Sequence, residues 1–146
     1  MNKIRIENKD LFKVEVNDKG EYIEFDLADI NLPFKAKKSF DMINAYMEEL
    51  KEKEVDLSSL DEGILFEQEM FQKMRAALDN FIGEGGSQKI FGDKNYYGMF
   101  EDLLYVFEEP QEELGGQSVM DKLNFTAKGI QDRVIAKYSK KDSDVL

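Results

Sequence analysis

The chain has neither cysteine nor histidine among its 146 residues. The first absence excludes disulfides and thiolate chemistry. The second removes the commonest general base and the commonest transition-metal ligand together. Long apolar runs are missing too, since no stretch approaches the roughly eighteen residues that a membrane span requires. The opening "MNKIRIENKD" lacks the apolar core of a signal peptide. A soluble, cytoplasmic protein is therefore expected.

What is present suits a folded domain. Apolar residues make up 42% of the chain and aromatics 12%, including eleven phenylalanines. A chain of this length buries about two thirds of its unfolded surface, so it needs no metal or disulfide to hold together. Acidic residues number 31 against 20 basic, a net charge of −11. The excess sits in residues 1–110, with 25 acidic and 14 basic side chains, whereas residues 111–146 carry six of each. Such a balance disfavours binding to nucleic-acid phosphates or anionic lipid, and it favours solubility.

The segment "LFKVEVNDKGEYIEFDL" reads as a β-hairpin. Phe12, Val14 and Val16 alternate on one strand, Ile23, Phe25 and Leu27 on the other, and "NDKG" supplies the turn. "KIRI" at 3–6 is expected to add a short third strand. After Pro33, Phe40, Ile43, Met47 and Leu50 form one face of a helix with Ser39 as its N-cap. Ser59 and Glu62 have the spacing of a capping box opening a second helix, roughly 60–82, which Gly83 ends. A third helix is expected over 94–109, stopped by Pro110. "QEELGGQ" then reads as a hinge. Beyond it Leu123, Ala127, Ile130, Val134 and Tyr138 keep helical spacing, as in a detachable amphipathic helix or a segment that orders on a partner.

The glycine-rich "FIGEGGSQKIFG" at 81–92 invites a phosphate-binding reading, and the spacing refuses it. A P-loop needs a lysine directly after its last glycine and then Ser or Thr. Here Lys89 lies three residues past Gly86 and precedes Ile90. The dinucleotide fingerprint starting at Gly83 needs glycine at position 88, which is Gln88. The stretch is expected to turn the chain and to carry Ile90 and Phe91 into the core. A calcium loop aligned on Gly20 fails as well, because Lys19 would occupy a ligand position.

Other chemistry is equally thin. The carboxylate pairs Asp61/Glu62, Glu108/Glu109 and Glu112/Glu113 are sequence neighbours, whereas acid–base catalysis needs carboxylates facing across a cleft. Serines lack a histidine partner and a G-x-S-x-G elbow. No catalytic, cofactor-binding or metal-binding residue is expected. The stripe Tyr96, Tyr97, Phe100 and Phe107 reads mainly as core, with one of the two adjacent tyrosines free for a partner. Met42, Met47, Met70 and Met74 fall on or beside helical stripes, so they read as core more than as an adaptable surface.

The order of pieces, a hairpin "FKVEVNDKGEYIEFDL", helices, then "ALDNFIGEGGSQKIFG" and a "MFEDLLYVFEE" helix, resembles small tail assembly chaperones of siphophages and of prophages in Gram-positive bacteria. The resemblance covers residues 11–110. It implies a non-catalytic, helix-rich protein of the bacterial host cell, absent from the mature virion. It further implies that the partners are the tape measure protein, kept soluble, and tail tube subunits recruited around it, with self-association. No family motif marks single residues. Ile90, Phe91, Tyr96 and Tyr97 are partner-contact candidates from this chain's own pattern. Two other readings compete: an acidic DNA-mimic inhibitor of a host defence or DNA-handling protein, blunted by the interspersed basic residues, and a structural tail component retained in the virion. The expected architecture is α+β, mostly α-helical with an N-terminal β-hairpin. It comprises a hairpin-plus-helical domain over 1–110 and a mobile linker and amphipathic or disordered tail over 111–146.

Overall fold

The computed structural model describes residues 2–6, 11–53, 59–124 and 135. The fold is α+β: one antiparallel hairpin packed on a helical body. The strands are Leu11–Glu15 (β1) and Tyr22–Asp26 (β2). Their register sets Phe12 opposite Phe25 and Val14 opposite Ile23. The alternation read from the sequence therefore faces the core, with Ile23 and Phe25 buried. Asn17 closes the turn by accepting hydrogen bonds from the backbone N–H groups of Lys19 (2.9 Å) and Glu21 (3.3 Å).

Helix α1 runs Leu32–Glu52 and starts earlier than expected. Pro33 sits in its first turn, where a missing N–H costs nothing. The preceding turn is fastened by Asp29, whose side chain accepts the Asn31 N–H at 2.8 Å. Ser39 is thus no N-cap but a buried residue inside the helix. Helix α2, Leu60–Ile82, has the expected span and ends at Gly83. The capping box at its start does not form, since Ser59 makes no side-chain cap hydrogen bond. A six-residue helix α3, Gly86–Phe91, replaces the simple turn. Helix α4 is Met99–Glu108, five residues shorter at its start than expected. Gly98 at its N-cap has φ +87°, so the helix cannot extend back to Tyr96 and Tyr97.

"QEELGGQ" closes on itself. A 3-10 turn, Glu112–Leu114, is followed by two positive-φ glycines, and the Gln111 N–H donates to the Gln117 carbonyl at 3.0 Å. Residues 119–124 are helical (α5). A capping box does occur there: Asp121 N–H donates to Ser118 Oγ and Ser118 N–H to Asp121 Oδ2, each at 3.0 Å. Val119 and Leu123 are 2% and 4% exposed, so the core extends beyond Pro110. Residues 125–134 and 136–146, where most of the expected tail stripe falls, lie outside the described residues. "KIRI" adds no strand. Residues 2–6 have no regular structure, and the sheet is two-stranded among the described residues.

Phe25 is the hub of the core. Its ring lies 6.1 Å from Phe12, 5.3 Å from Phe81 and 6.4 Å from Phe107, so it ties β1, α2 and α4 together. Met70, Met74 and Met99 are buried outright, while Met42 and Met47 pack against the core from partly buried positions. Among the described residues, no helix is long and apolar enough to cross a membrane.

Candidate interaction surface

The glycine-rich stretch builds one wall of the surface. Gly86 lies so close to α2 that a Cβ there would sit 2.5 Å from Ile82 Cγ1. The first turn of α3 already has its anion: Asp79 Oδ1 accepts the Ser87 N–H at 2.7 Å. Lys89 does not face a ligand either, as its Nζ donates to the Tyr22 carbonyl at 3.2 Å. The Lys89 carbonyl in turn accepts from Asn17 Nδ2 at 3.0 Å. These bonds dock α3 on the hairpin and leave Ile90 and Phe91 half-buried against the core. A lysine spent on a backbone carbonyl and a carboxylate at the helix start make this a structural joint.

The segment between α3 and α4 is fastened to α2 by Arg75. Its guanidinium donates to Asn95 Oδ1 at 2.7 Å and to the Lys94 carbonyl at 2.8 Å, and it lies over the Phe91 ring at 5.7 Å. Burial lowers the Arg75 pKa, opposed by the nearby carboxylates of Asp79 and Asp93. With the segment held at this point, the two following tyrosines diverge.

Tyr96 turns toward β1. With Val14, Val16, Ile90, Phe91 and Val106 it lines a cleft of about 320 Å³. Leu103, Phe107 and Val119 form the floor, and Glu15 and Asp102 line it as well. Tyr96 Oη donates to Asp102 Oδ2 at 3.2 Å. Lost hydration, helped by that carboxylate, raises the phenol's pKa. Tyr97 turns the other way, toward a second cleft of ≈ 340 Å³ between the end of α1 and the start of α2. Leu50, Leu60, Ile64 and Phe66 line it, with Glu62, Glu67, Lys51 and Lys53 among them. The Tyr97 hydroxyl donates a hydrogen bond to Glu67 Oε1, and its ring meets Phe71 edge-on at 5.9 Å. The Glu67 bond, then burial, pushes the phenol up to about 12. Even so, Tyr97 is 60% exposed.

The four contact candidates are thus divided. Ile90, Phe91 and Tyr96 share one cleft, and Tyr97 belongs to another. Both tyrosines are exposed, in the segment that precedes α4. Val14, Val16 and Val106 were not among the candidates. Val106 lies one step off the Phe100–Leu103–Phe107 stripe, which was the available signal. The carboxylate pairs Asp61/Glu62, Glu108/Glu109 and Glu112/Glu113 are exposed, and none faces a second carboxylate pair across either cleft. The arrangement offers apolar contact bordered by charge, at a size near the lower end, about 300 Å³, of ordinary ligand pockets.

No protein-family model matches the chain, and neither a curated protein nor a solved structure matches it.

Proposed function

We propose that this chain is a non-catalytic tail assembly chaperone of a siphophage or prophage. It holds the tape measure protein in solution within the bacterial host cell and helps recruit tail tube subunits. The resemblance over residues 11–110 supports this reading. The observation that carries it is the pair of apolar clefts on a strongly acidic body. A holdase must offer apolar contact to a client while remaining dispersed, and net negative charge keeps the coated client apart from its neighbours. The clefts supply the first property and the −11 charge the second.

The test is co-expression with the longest reading frame immediately downstream of the gene. Soluble co-purification of that long, apolar chain is the expected result. Val106→Glu should weaken capture by roughly tenfold or more if the β1–α4 cleft is a contact centre. A client that stays insoluble in the presence of the full chain sinks the proposal. Salt-sensitive capture of a basic, DNA-handling protein would favour the acidic-inhibitor reading instead. Recovery of the chain in purified particles would favour a structural tail component.

A further inference from the structure

Two isoleucines stand almost fully in water near the start of the chain: Ile4 is 95% exposed and Ile6 91%. They alternate with Lys3 and Arg5, the period-2 pattern of a strand with one apolar and one basic face. Among the described residues no backbone hydrogen bond reaches the segment, although such a pattern has a natural destination in an open sheet edge.

The hairpin has one. Val16 N–H donates to the Glu21 carbonyl at 2.9 Å. Antiparallel alternation then assigns the backbone groups of Phe12, Val14 and Val16 to β2 and turns those of Leu11, Lys13 and Glu15 outward. Among the described residues, no backbone hydrogen bond from another element reaches these outward groups. The far edge of β2 differs, because Lys89 Nζ occupies the Tyr22 carbonyl. β1 is therefore the less occupied edge, and it borders the β1–α4 cleft through Val14, Glu15 and Val16. The charge around it is acidic, with Asp102 in that cleft and Asp18, Glu112 and Glu113 beside Glu15 in an adjoining hollow. Lys13 is the one basic side chain on the strand.

We infer that the β1 edge takes up an added strand, and that the strand is Lys3–Ile6 of a second copy of this chain. Main-chain hydrogen bonds to Leu11, Lys13 and Glu15 would give affinity. The cleft would receive Ile4 and Ile6, and the acidic surround would select Lys3 and Arg5. Two copies exchanging these strands reciprocally form a closed, two-fold pair. Register favours the second copy over the chain's own segment. A turn over residues 7–10 sets Ile6 opposite Leu11 and Arg5 opposite Phe12, which aims both basic side chains at the core face and both isoleucines away from it. Shortening the turn to 8–10 restores the face but offers no glycine for the left-handed position that three-residue turns use. A strand from another copy carries neither constraint. The inference is independent of the proposed client and survives its failure.

The experiment pairs light scattering with amide hydrogen exchange on the full chain over a roughly hundredfold dilution series. A dimer should appear on concentration, with protection rising in step at the amides of Leu11, Lys13 and Glu15. Ile4→Lys/Ile6→Lys, at positions already in water, should abolish both signals and leave core exchange unchanged. Lys3→Glu/Arg5→Glu should weaken the dimer, and added salt should weaken the wild-type dimer. Three results overturn the inference: no dimer at any concentration, protection of β1 in a concentration-independent monomer, or a dimer that persists in the double-lysine variant.

Discussion

Phe25 and Tyr97 represent the two kinds of aromatic in this chain. Phe25 is buried among three other rings, so Phe25→Ala should cost about 3–5 kcal/mol through lost burial and an unfilled cavity. Chemical denaturation measures this directly, and a loss below about 1 kcal/mol would mean the core closes over the gap. Tyr97 lies exposed but bonded to Glu67. Its phenol is raised from 10.0 to about 12, so the bond's contribution is complete below the ordinary phenol value and is lost as pH rises toward 12. An ultraviolet titration should show a late phase close to pH 12, and Tyr97→Phe should remove it while leaving the delay at Tyr96 in place. If the variant keeps it, the delayed phenol is another residue.

At the scale of elements, stability depends on joints that local patterns do not advertise. The cap of α5 is the clearest. Ser118 is buried and exchanges hydrogen bonds with Asp121, so Ser118→Ala should cost roughly 1 kcal/mol. Hydrogen exchange over residues 119–124 should accelerate more than exchange in α2. The backbone N–H of Ser118, and then its side chain, hold the Asp121 carboxyl below its ordinary pKa. Its contribution is present above the unfolded carboxylate value and fades as pH falls through the lowered one. Local opening of α5 should therefore increase on acidification, and Asp121→Asn should flatten that dependence. The α2–α3 joint makes a second case. Gly86→Ala places a methyl group against Ile82 and should destabilise the fold by about 1–3 kcal/mol. A neutral result in thermal unfolding would show that Ile82 can move aside.

For the whole molecule, the decisive feature is how far the core reaches along the chain. Truncation after residue 112 removes Val119 and Leu123, both buried, each worth roughly 1.5–3 kcal/mol in lost burial. A chain ending at 124 should unfold at clearly higher denaturant than one ending at 112. Equal midpoints would show that α5 adds nothing to the body. This bears on function, because a 112-residue fragment that fails to hold a client would conflate loss of contacts with loss of fold. Charge acts at the same scale. The acidic excess of residues 1–110 repels other acidic chains and attracts apolar segments that carry basic residues. The pull is most direct at the β1–α4 cleft, lined by Glu15 and Asp102 without a basic side chain, whereas Lys51 and Lys53 balance Glu62 and Glu67 in the other.

The hairpin, the span of α2, the stop at Pro110 and the turning role of the 81–92 glycines were all legible in the sequence. Each rests on neighbours in the chain: period-2 alternation across "NDKG", period-3.6 spacing from Leu60 to Ile82, a proline without an N–H, and glycines at the wrong spacing for phosphate. Pro33 also carried a readable signal for the early start of α1, outweighed by the attraction of Ser39 as a cap. Tertiary structure decided the rest. Tyr96 and Tyr97 fit a helical stripe until Arg75 fastens Lys94 and Asn95 to α2 and Gly98 takes positive φ. Their helical spacing then means nothing, and they face different clefts. Val106 joins Val14 and Val16 only because Phe25 brings β2 and α4 together. Elements follow from interactions a few residues apart. Clefts form where segments far apart in the chain meet, and no local pattern encodes which segments those are.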